Sequence, residues 1–65
     1  MVTLKLVIPH TTLSRQLPTT AIAERWGYKQ ILNNVPDCNQ WKDCQLIIDG
    51  KSYPTTLQAV TKYRG

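Results

Sequence analysis

The chain of 65 residues is expected to fold as one small α+β domain spanning 1–65. Three patterns predict this class: alternating apolar residues near the amino terminus, a helix-compatible stretch in the middle, and a turn signal flanked by β-branched and apolar residues further on. A chain of this length has room for a single modest core. The predicted order is an amino-terminal strand, one or two short helices, a β-hairpin and a carboxy-terminal helix.

The amino-terminal strand is predicted over residues 2–8. Apolar side chains recur there at every second position: Val2, Leu4, Leu6 and Ile8. This period of two is typical of a strand with one buried face. Pro9 should end the strand, because proline has no amide hydrogen to donate. The mostly polar stretch 9–18 is then expected to be a connector.

The middle of the chain is predicted to be helical. Thr19 or Thr20 offers a hydroxyl for the N-cap, and the residues after it favour a helix. Gly27 interrupts this stretch, and glycine inside a helix costs about 1 kcal/mol relative to alanine. We therefore predict a short helix at 20–26, a turn at Gly27 and a second short helix at 28–34. One continuous helix is the main alternative.

The second half of the chain begins with a stop signal around Pro36, followed by a polar loop at 37–44 that Trp41 anchors. A strand is predicted from Cys44 to Ile48. Asp49-Gly50 is a strong hairpin signal, and the return strand Lys51–Tyr53 should end at Pro54.

The chain is expected to close with a helix. Thr55 or Thr56 can cap it, and Leu57 and Val60 follow helical spacing. The basic tail, which contains Lys62 and Arg64, should complement the negative end of this helix's dipole.

The charge balance favours acidic partners. The chain carries 8 basic against 4 acidic residues, a formal net charge of +4. Charge of this sign attracts nucleic acid, an acidic protein face or anionic lipid, although it also serves solubility. Neither a bilayer-spanning apolar run nor a secretory signal is recognisable, so no membrane association and a cytoplasmic location are expected.

Catalysis and cofactor binding are not expected. His10 is the only histidine, and the aspartates fall in loops or turns, where they commonly form local hydrogen bonds. No nucleophile–base pair or phosphate-cradling glycine loop is recognisable. Cys38 and Cys44 are too few for a zinc site with four ligands. A disulfide between them is sterically possible but would be unexpected in a reducing cytosol, so two free thiols are predicted.

The stretch from Ala21 to Tyr28 resembles the first half of a helix-turn-helix. In that motif Ala23 sits where a small residue allows close helix packing, and Gly27 sits at the turn. Ile22 and Trp26 would face the core. The resemblance then implies an outward-facing set that includes the start of a recognition helix: Arg25, Tyr28, Lys29, Gln30 and Asn33. Gln30 and Asn33 suit adenine, and Lys29 suits guanine or phosphate.

With the Asp49-Gly50 hairpin and the closing helix, the chain is similar to small winged-helix excisionases, the recombination directionality factors. In that family a helix enters the major groove, and the hairpin wing lies against the minor groove or backbone. The resemblance implies phosphate contacts from Lys42 and Lys51. The chain departs from the pattern at Asn33 and Pro36, where such motifs carry buried aliphatic residues, so the second helix would be short or displaced.

Taken together, these features favour a non-catalytic factor that binds double-stranded DNA and has an accessory or regulatory role. Its cationic side chains are expected to converge on one flank. The alternative is a basic protein–protein interaction module, such as a phage-type inhibitor or a small subunit of an assembly. There the strand at 2–8 could pair with a partner's sheet or form an oligomer. RNA binding ranks below both, because clustered exposed aromatic residues are lacking.

Overall fold

The computed structural model describes residues 1–63, which form an antiparallel sheet and the helices packed with it. Arg64 and Gly65, at the end of the basic tail, lie outside the described residues. The elements in chain order are β1 (Val2–Ile8), β2 (Thr11–Leu17), α1 (Thr20–Asn34), a 3-10 helix (Cys38–Asp43), β3 (Gln45–Ile48), β4 (Lys51–Tyr53) and α2 (Leu57–Thr61). The small α+β class is confirmed.

The sheet has the strand order β2-β1-β3-β4, and every neighbouring pair is antiparallel. β1 therefore lies in the interior of the sheet, between β2 and β3. Its alternating pattern places Leu4 and Leu6 in the core, fully buried, while Lys5 points to the opposite, outer face. The prediction that strand 2–8 offers a free edge is wrong, because both of its edges are already paired.

The predicted connector at 9–18 is also wrong, since most of it forms β2. A turn at Pro9-His10 reverses the chain, and β2 then pairs with β1 along its full length. Sequence analysis misses this strand because the side chains on its core-facing side are not all apolar. Arg15 stands between Leu13 and Leu17 on that face. An edge strand tolerates such a residue, because its outer side is open to water.

Helix α1 runs without interruption from Thr20 to Asn34, so the predicted break at Gly27 is wrong and the continuous alternative is correct. The Oγ1 atom of Thr19 caps its amino terminus by accepting a hydrogen bond from the Ile22 amide, 3.2 Å away. Gly27 is buried where the helix approaches the sheet: a Cβ atom there would lie 2.6 Å from Cδ1 of Leu46. Its small size permits close packing rather than a turn.

The core lies between α1 and the sheet, and Trp41 closes one end of it. The indole Nε1 of Trp41 donates a buried hydrogen bond of 2.8 Å to the carbonyl of Val35, just beyond the end of α1. This bond satisfies a polar atom that burial would otherwise leave without a partner. Trp41 is thus the anchor of the 37–44 segment, as predicted, although that segment forms a 3-10 helix rather than an irregular loop.

The predicted hairpin and closing helix are confirmed. Asp49 and Gly50 both have positive φ, 51° and 82°, as expected for the central residues of a tight two-residue hairpin. Thr56 is the N-cap of α2 and accepts a hydrogen bond from the Ala59 amide. Within residues 1–63 there is no helix of the length and apolar character needed to cross a membrane.

Candidate interaction surface

The solvent-facing side of α1 carries three of the residues predicted to contact DNA. Arg25, Lys29 and Asn33 follow one another at intervals of four, so they lie on one side of the helix. All three are exposed, whereas Ala23, Gly27 and Ile31 line the opposite, buried side. We call these three exposed residues the α1 stripe.

Tyr28 does not belong to this surface, which corrects its predicted outward orientation. Its side chain is only 2% exposed, and its hydroxyl donates a hydrogen bond of 2.6 Å to the carbonyl of Pro54. The ring stacks on Tyr63 with centroids 4.8 Å apart. Burial raises the pKa of Tyr28 to about 12, and the charge of Glu24 adds to the effect, so the hydroxyl keeps its proton. Tyr28 joins α1 to the α2 side of the molecule.

Gln30 does not belong to the α1 stripe. It is half-buried, and its Oε1 accepts a hydrogen bond of 3.2 Å from Nδ2 of Asn34. The same amide nitrogen donates to the backbone carbonyl of Gln30, 2.9 Å away. Gln30 is therefore engaged at the end of its own helix, whereas Asn33, the other residue predicted to contact adenine, is exposed.

Two apolar residues that were expected in the core border the stripe, and one of them, Trp26, also packs against the core. Ile22 is 47% exposed, which contradicts its predicted burial, and Trp26 is half-buried at the edge of the core. Both lie three or four residues from Arg25 or Lys29, so they are neighbours on the helix surface. An exposed isoleucine beside a half-buried indole gives the stripe an apolar border.

Arg15 is the functional candidate that sequence analysis missed. Its guanidinium carbon lies 5.4 Å from the centre of the Trp26 ring, within the range of a cation–π interaction. Only the pairing of β2 with β1 puts this arginine beside α1, so its sequence neighbours carry no signal for it. We call the stripe and its three neighbours the α1–β2 surface. It consists of Arg25, Lys29 and Asn33 from the stripe, together with Ile22, Trp26 and Arg15. It contains three cations and no acidic residue.

The other predicted phosphate contacts are exposed but lie elsewhere. Lys42 precedes β3, whereas Lys51 follows the turn after β3, so the two lysines lie at opposite ends of that strand. The Lys51 ammonium lies 5.6 Å from the centre of the Tyr53 ring. Lys5 occupies the outer face of the sheet. Among residues 1–63 the cations therefore do not converge on one flank, contrary to the prediction, and within that range only the α1–β2 surface gathers several of them.

Several acidic side chains have structural roles away from this surface. An Asp37 carboxylate oxygen accepts a hydrogen bond of 3.0 Å from the Asn39 amide at the start of the 3-10 helix. Asp49 Oδ1 accepts one of 2.9 Å from the Thr3 amide. Glu24 lies near Tyr28 and Tyr63, where its charge helps to raise the pKa of both phenols after burial itself. None of these three carboxylates belongs to the α1–β2 surface.

A shallow depression lies on the α2 side of the molecule. Its volume is about 190 Å³, and it is lined by Glu24, Tyr28, Tyr53, Pro54, Ala59, Lys62 and Tyr63. Pockets for drug-sized ligands usually have volumes of roughly 300 Å³ or more. Because the depression is small and the Tyr28 hydroxyl already bonds to Pro54, it offers little to hold a small molecule.

The two cysteines are free thiols, as predicted. Cys38 is exposed, whereas Cys44 is buried. The Cys44 thiol donates a hydrogen bond of 3.6 Å to the Gln40 carbonyl. Burial and the neighbouring charge of Asp43 raise the pKa of the Cys44 thiol. Among residues 1–63, no group of three or more histidine, cysteine or acidic side chains is arranged to hold a metal ion.

Comparisons with protein families, curated proteins and solved structures found no match to this chain.

Proposed function

We propose that this domain binds double-stranded DNA through α1, without catalysing a reaction, and serves as an accessory or regulatory factor. The observation that best supports the proposal is the α1 stripe, where Arg25, Lys29 and Asn33 share one exposed side of an uninterrupted helix. A helix of 15 residues is about 22 Å long, and the major groove, about 12 Å wide, admits an α-helix.

The polar and charged residues of the surface divide the contacts with DNA between them. Arg25 and Lys29 bind phosphates or guanine, and Asn33 is suited to adenine. Arg15, held against Trp26, binds a phosphate at the side of the groove. Lys42 and Lys51 lie at opposite ends of β3, so they add long-range attraction rather than a second joint contact.

This docking mode differs from the one that the winged-helix resemblance implies. In that family a second helix after the turn enters the groove, whereas here both halves of α1 belong to one helix. The excisionase-like assignment stays a prediction. DNA binding by the domain depends on the α1–β2 surface and not on that assignment.

The test is a titration of fluorescently labelled duplex DNA with the protein at two salt concentrations, in which fluorescence anisotropy reports binding. The Arg25→Ala/Lys29→Ala variant should bind at least about tenfold more weakly, and its affinity should depend less steeply on salt, because two phosphate contacts are lost. Lys5→Ala/Lys42→Ala is the matched control, since it removes the same charge from other parts of the surface. Absent binding at low salt, salt-independent binding or equal losses in the two variants would refute the proposal.

A second candidate function is binding to an acidic protein face. The observation that favours it is the exposed side chain of Ile22 beside the half-buried Trp26, since apolar anchors within a charged surface are typical of protein interfaces. Ile22→Ser should hardly change DNA affinity but should abolish capture of a protein partner. Purification from the host with wild-type and Ile22→Ser baits, analysed for both nucleic acid and protein, separates the two functions.

A further inference from the structure

Strand β2 is an unprotected edge of the sheet. Among the described residues it pairs only with β1, and its register with β1 runs from Thr11 to Leu17 without a bulge. It contains no proline, and Arg15 is its only charged residue. Edge strands of natural proteins are usually shortened, bulged, covered or heavily charged, because a free edge pairs readily with another strand. β2 has seven residues, as long as the interior strand β1.

The hydrogen bonds of β1 show which backbone groups of β2 face outward. The Thr3 amide donates to the Asp49 side chain, and the Thr3 carbonyl accepts from the Asp49 amide, each over 2.9 Å. Thr3 therefore directs both backbone groups toward the β3 side. Since these directions alternate along a strand, the β1 residues that bond to β2 are the even-numbered ones: Val2, Leu4, Leu6 and Ile8.

The partners of those β1 residues follow from the observed register. They are the odd-numbered positions of β2, so these bond inward to β1: Thr11, Leu13, Arg15 and Leu17. The amides and carbonyls of Thr12, Ser14 and Gln16 must then point away from β1, toward the open edge. These three outward positions are evenly spaced about Ser14.

We propose that two copies of this chain pair through their β2 strands, antiparallel and centred on Ser14. In that register Ser14 lies opposite Ser14 of the second copy, and Thr12 lies opposite Gln16. Each of the three outward positions exchanges two N–H···O bonds with its opposite residue, so the pair gains about six backbone hydrogen bonds. A continuous eight-stranded sheet results.

Neighbouring registers are worse for physical reasons. A pair centred on Arg15 sets two guanidinium groups directly opposite each other, and like charges in that position are destabilising. It also matches only two outward positions per strand, which gives about four hydrogen bonds. A pair centred on Leu13 also gains only about four hydrogen bonds. The Ser14 register alone uses every outward group of the strand.

Side chains also fit the Ser14 register. On the outer face, the pairs are Ser14 with Ser14 and Thr12 with Gln16, all uncharged. On the helix face, Leu13 meets Arg15 of the second copy, whose guanidinium is already held against Trp26. The half-buried Leu13 and Trp26 lose further water contact there, which favours association. The two α1 helices lie on the same face of the joined sheet. Dimerisation is independent of DNA binding, which a monomer could also perform.

A cysteine cross-link tests both the pairing and its register. In a Cys38→Ser background, Ser14→Cys should form a disulfide-linked dimer on mild oxidation, because opposite residues of a hydrogen-bonded antiparallel pair have Cα atoms about 5.5 Å apart, within disulfide range. Ser52→Cys, on the other sheet edge, is the matched control. Thr12→Cys alone should not cross-link, whereas a mixture of Thr12→Cys and Gln16→Cys should.

Sedimentation equilibrium at micromolar to millimolar concentration tests the unmodified chain. Wild type and Ser14→Ala should both reach twice the monomer mass. Ser14→Pro should stay monomeric with an unchanged far-ultraviolet circular dichroism spectrum, because the amide it removes makes no bond to β1. A wild type that stays monomeric throughout, or cross-linking of Ser14→Cys no faster than of Ser52→Cys, would overturn the proposal even if Ser14→Pro failed to fold.

Discussion

Gly27 of helix α1 lies directly against Leu46 of strand β3. A Cβ atom at position 27 would stand 2.6 Å from Cδ1 of Leu46 and 3.2 Å from Cδ1 of Leu4, and both leucines are fully buried. No side chain other than hydrogen fits there unless the core moves. The glycine thus determines how closely α1 approaches the sheet.

Gly27→Ala should destabilise the domain, although alanine is the better helix former. The gain in helix propensity is about 1 kcal/mol, whereas forcing a methyl group into a packed core costs about 1–3 kcal/mol. We expect a net loss of about 1 kcal/mol in the free energy of unfolding, measured by urea denaturation, and a larger loss for Gly27→Val.

The control for this prediction is a double-mutant cycle with Leu46→Ala, which makes room for the added methyl group. The cost of Gly27→Ala should shrink or change sign in that background, since contacting residues are not additive. Gly50→Ala, at an open position with φ of 82°, should cost stability through backbone strain but show no coupling to Leu46. An unchanged cost of Gly27→Ala in both backgrounds would contradict the packing explanation.

Asp49 joins the hairpin tip to strand β1 through its bond to the Thr3 amide, and it also adopts positive φ. Asp49→Ala should cost about 1–2 kcal/mol, because it loses the hydrogen bond and places alanine in the left-handed region. Asp49→Asn should retain most of the stability, since asparagine accepts the same bond and tolerates this conformation. Thermal unfolding compares the two variants, with Asp43→Ala as an exposed control. Equal losses for Asn and Ala would show that neither the bond nor the backbone conformation matters.

Stability should fall at strongly alkaline pH because of Tyr28. Its pKa is raised from 10.0 to about 12 in the folded chain, chiefly by burial, so the folded state holds its proton more tightly than the unfolded state does. The resulting contribution to stability is fully present below pH 10.0 and is lost as the pH rises toward about 12. The free energy of unfolding, measured across this range, should decline more steeply in wild type than in Tyr28→Phe. Parallel pH profiles would assign the decline to other groups.

The two thiols should react at very different rates. Cys38 is exposed, whereas Cys44 is buried and its pKa is raised, so little reactive thiolate is present at neutral pH. A thiol-specific chromogenic reagent should therefore modify Cys38 quickly and Cys44 only as fast as the structure opens. Cys38→Ser should lose the fast phase and keep the slow one. Two fast phases in wild type would contradict the burial of Cys44.

The candidate surface was only partly predictable from the sequence. The helix-turn-helix resemblance placed Arg25, Lys29 and Asn33 outward, and all three are exposed. They share one side of the helix because a period of 3.6 relates residues four apart. The resemblance also placed Tyr28 outward and Ile22 inward, and both were wrong. The helix has only a narrow row of apolar residues, and such a row does not define which side of the helix faces a sheet whose position is unknown.

Local chemistry by itself determined strand β1, the Asp49-Gly50 hairpin, the threonine-capped closing helix and the anchoring role of Trp41. In each case the signal lies within a few residues. The four signals are apolar alternation, an Asp-Gly pair, a capping hydroxyl and a lone large aromatic residue. Tertiary structure alone decided that α1 continues through Gly27, that residues 11–17 form an edge strand and that Arg15 meets Trp26. These features arise from contacts between residues distant in the chain, where the burial of Leu4 and Leu46 outweighs the weak helix propensity of a single glycine.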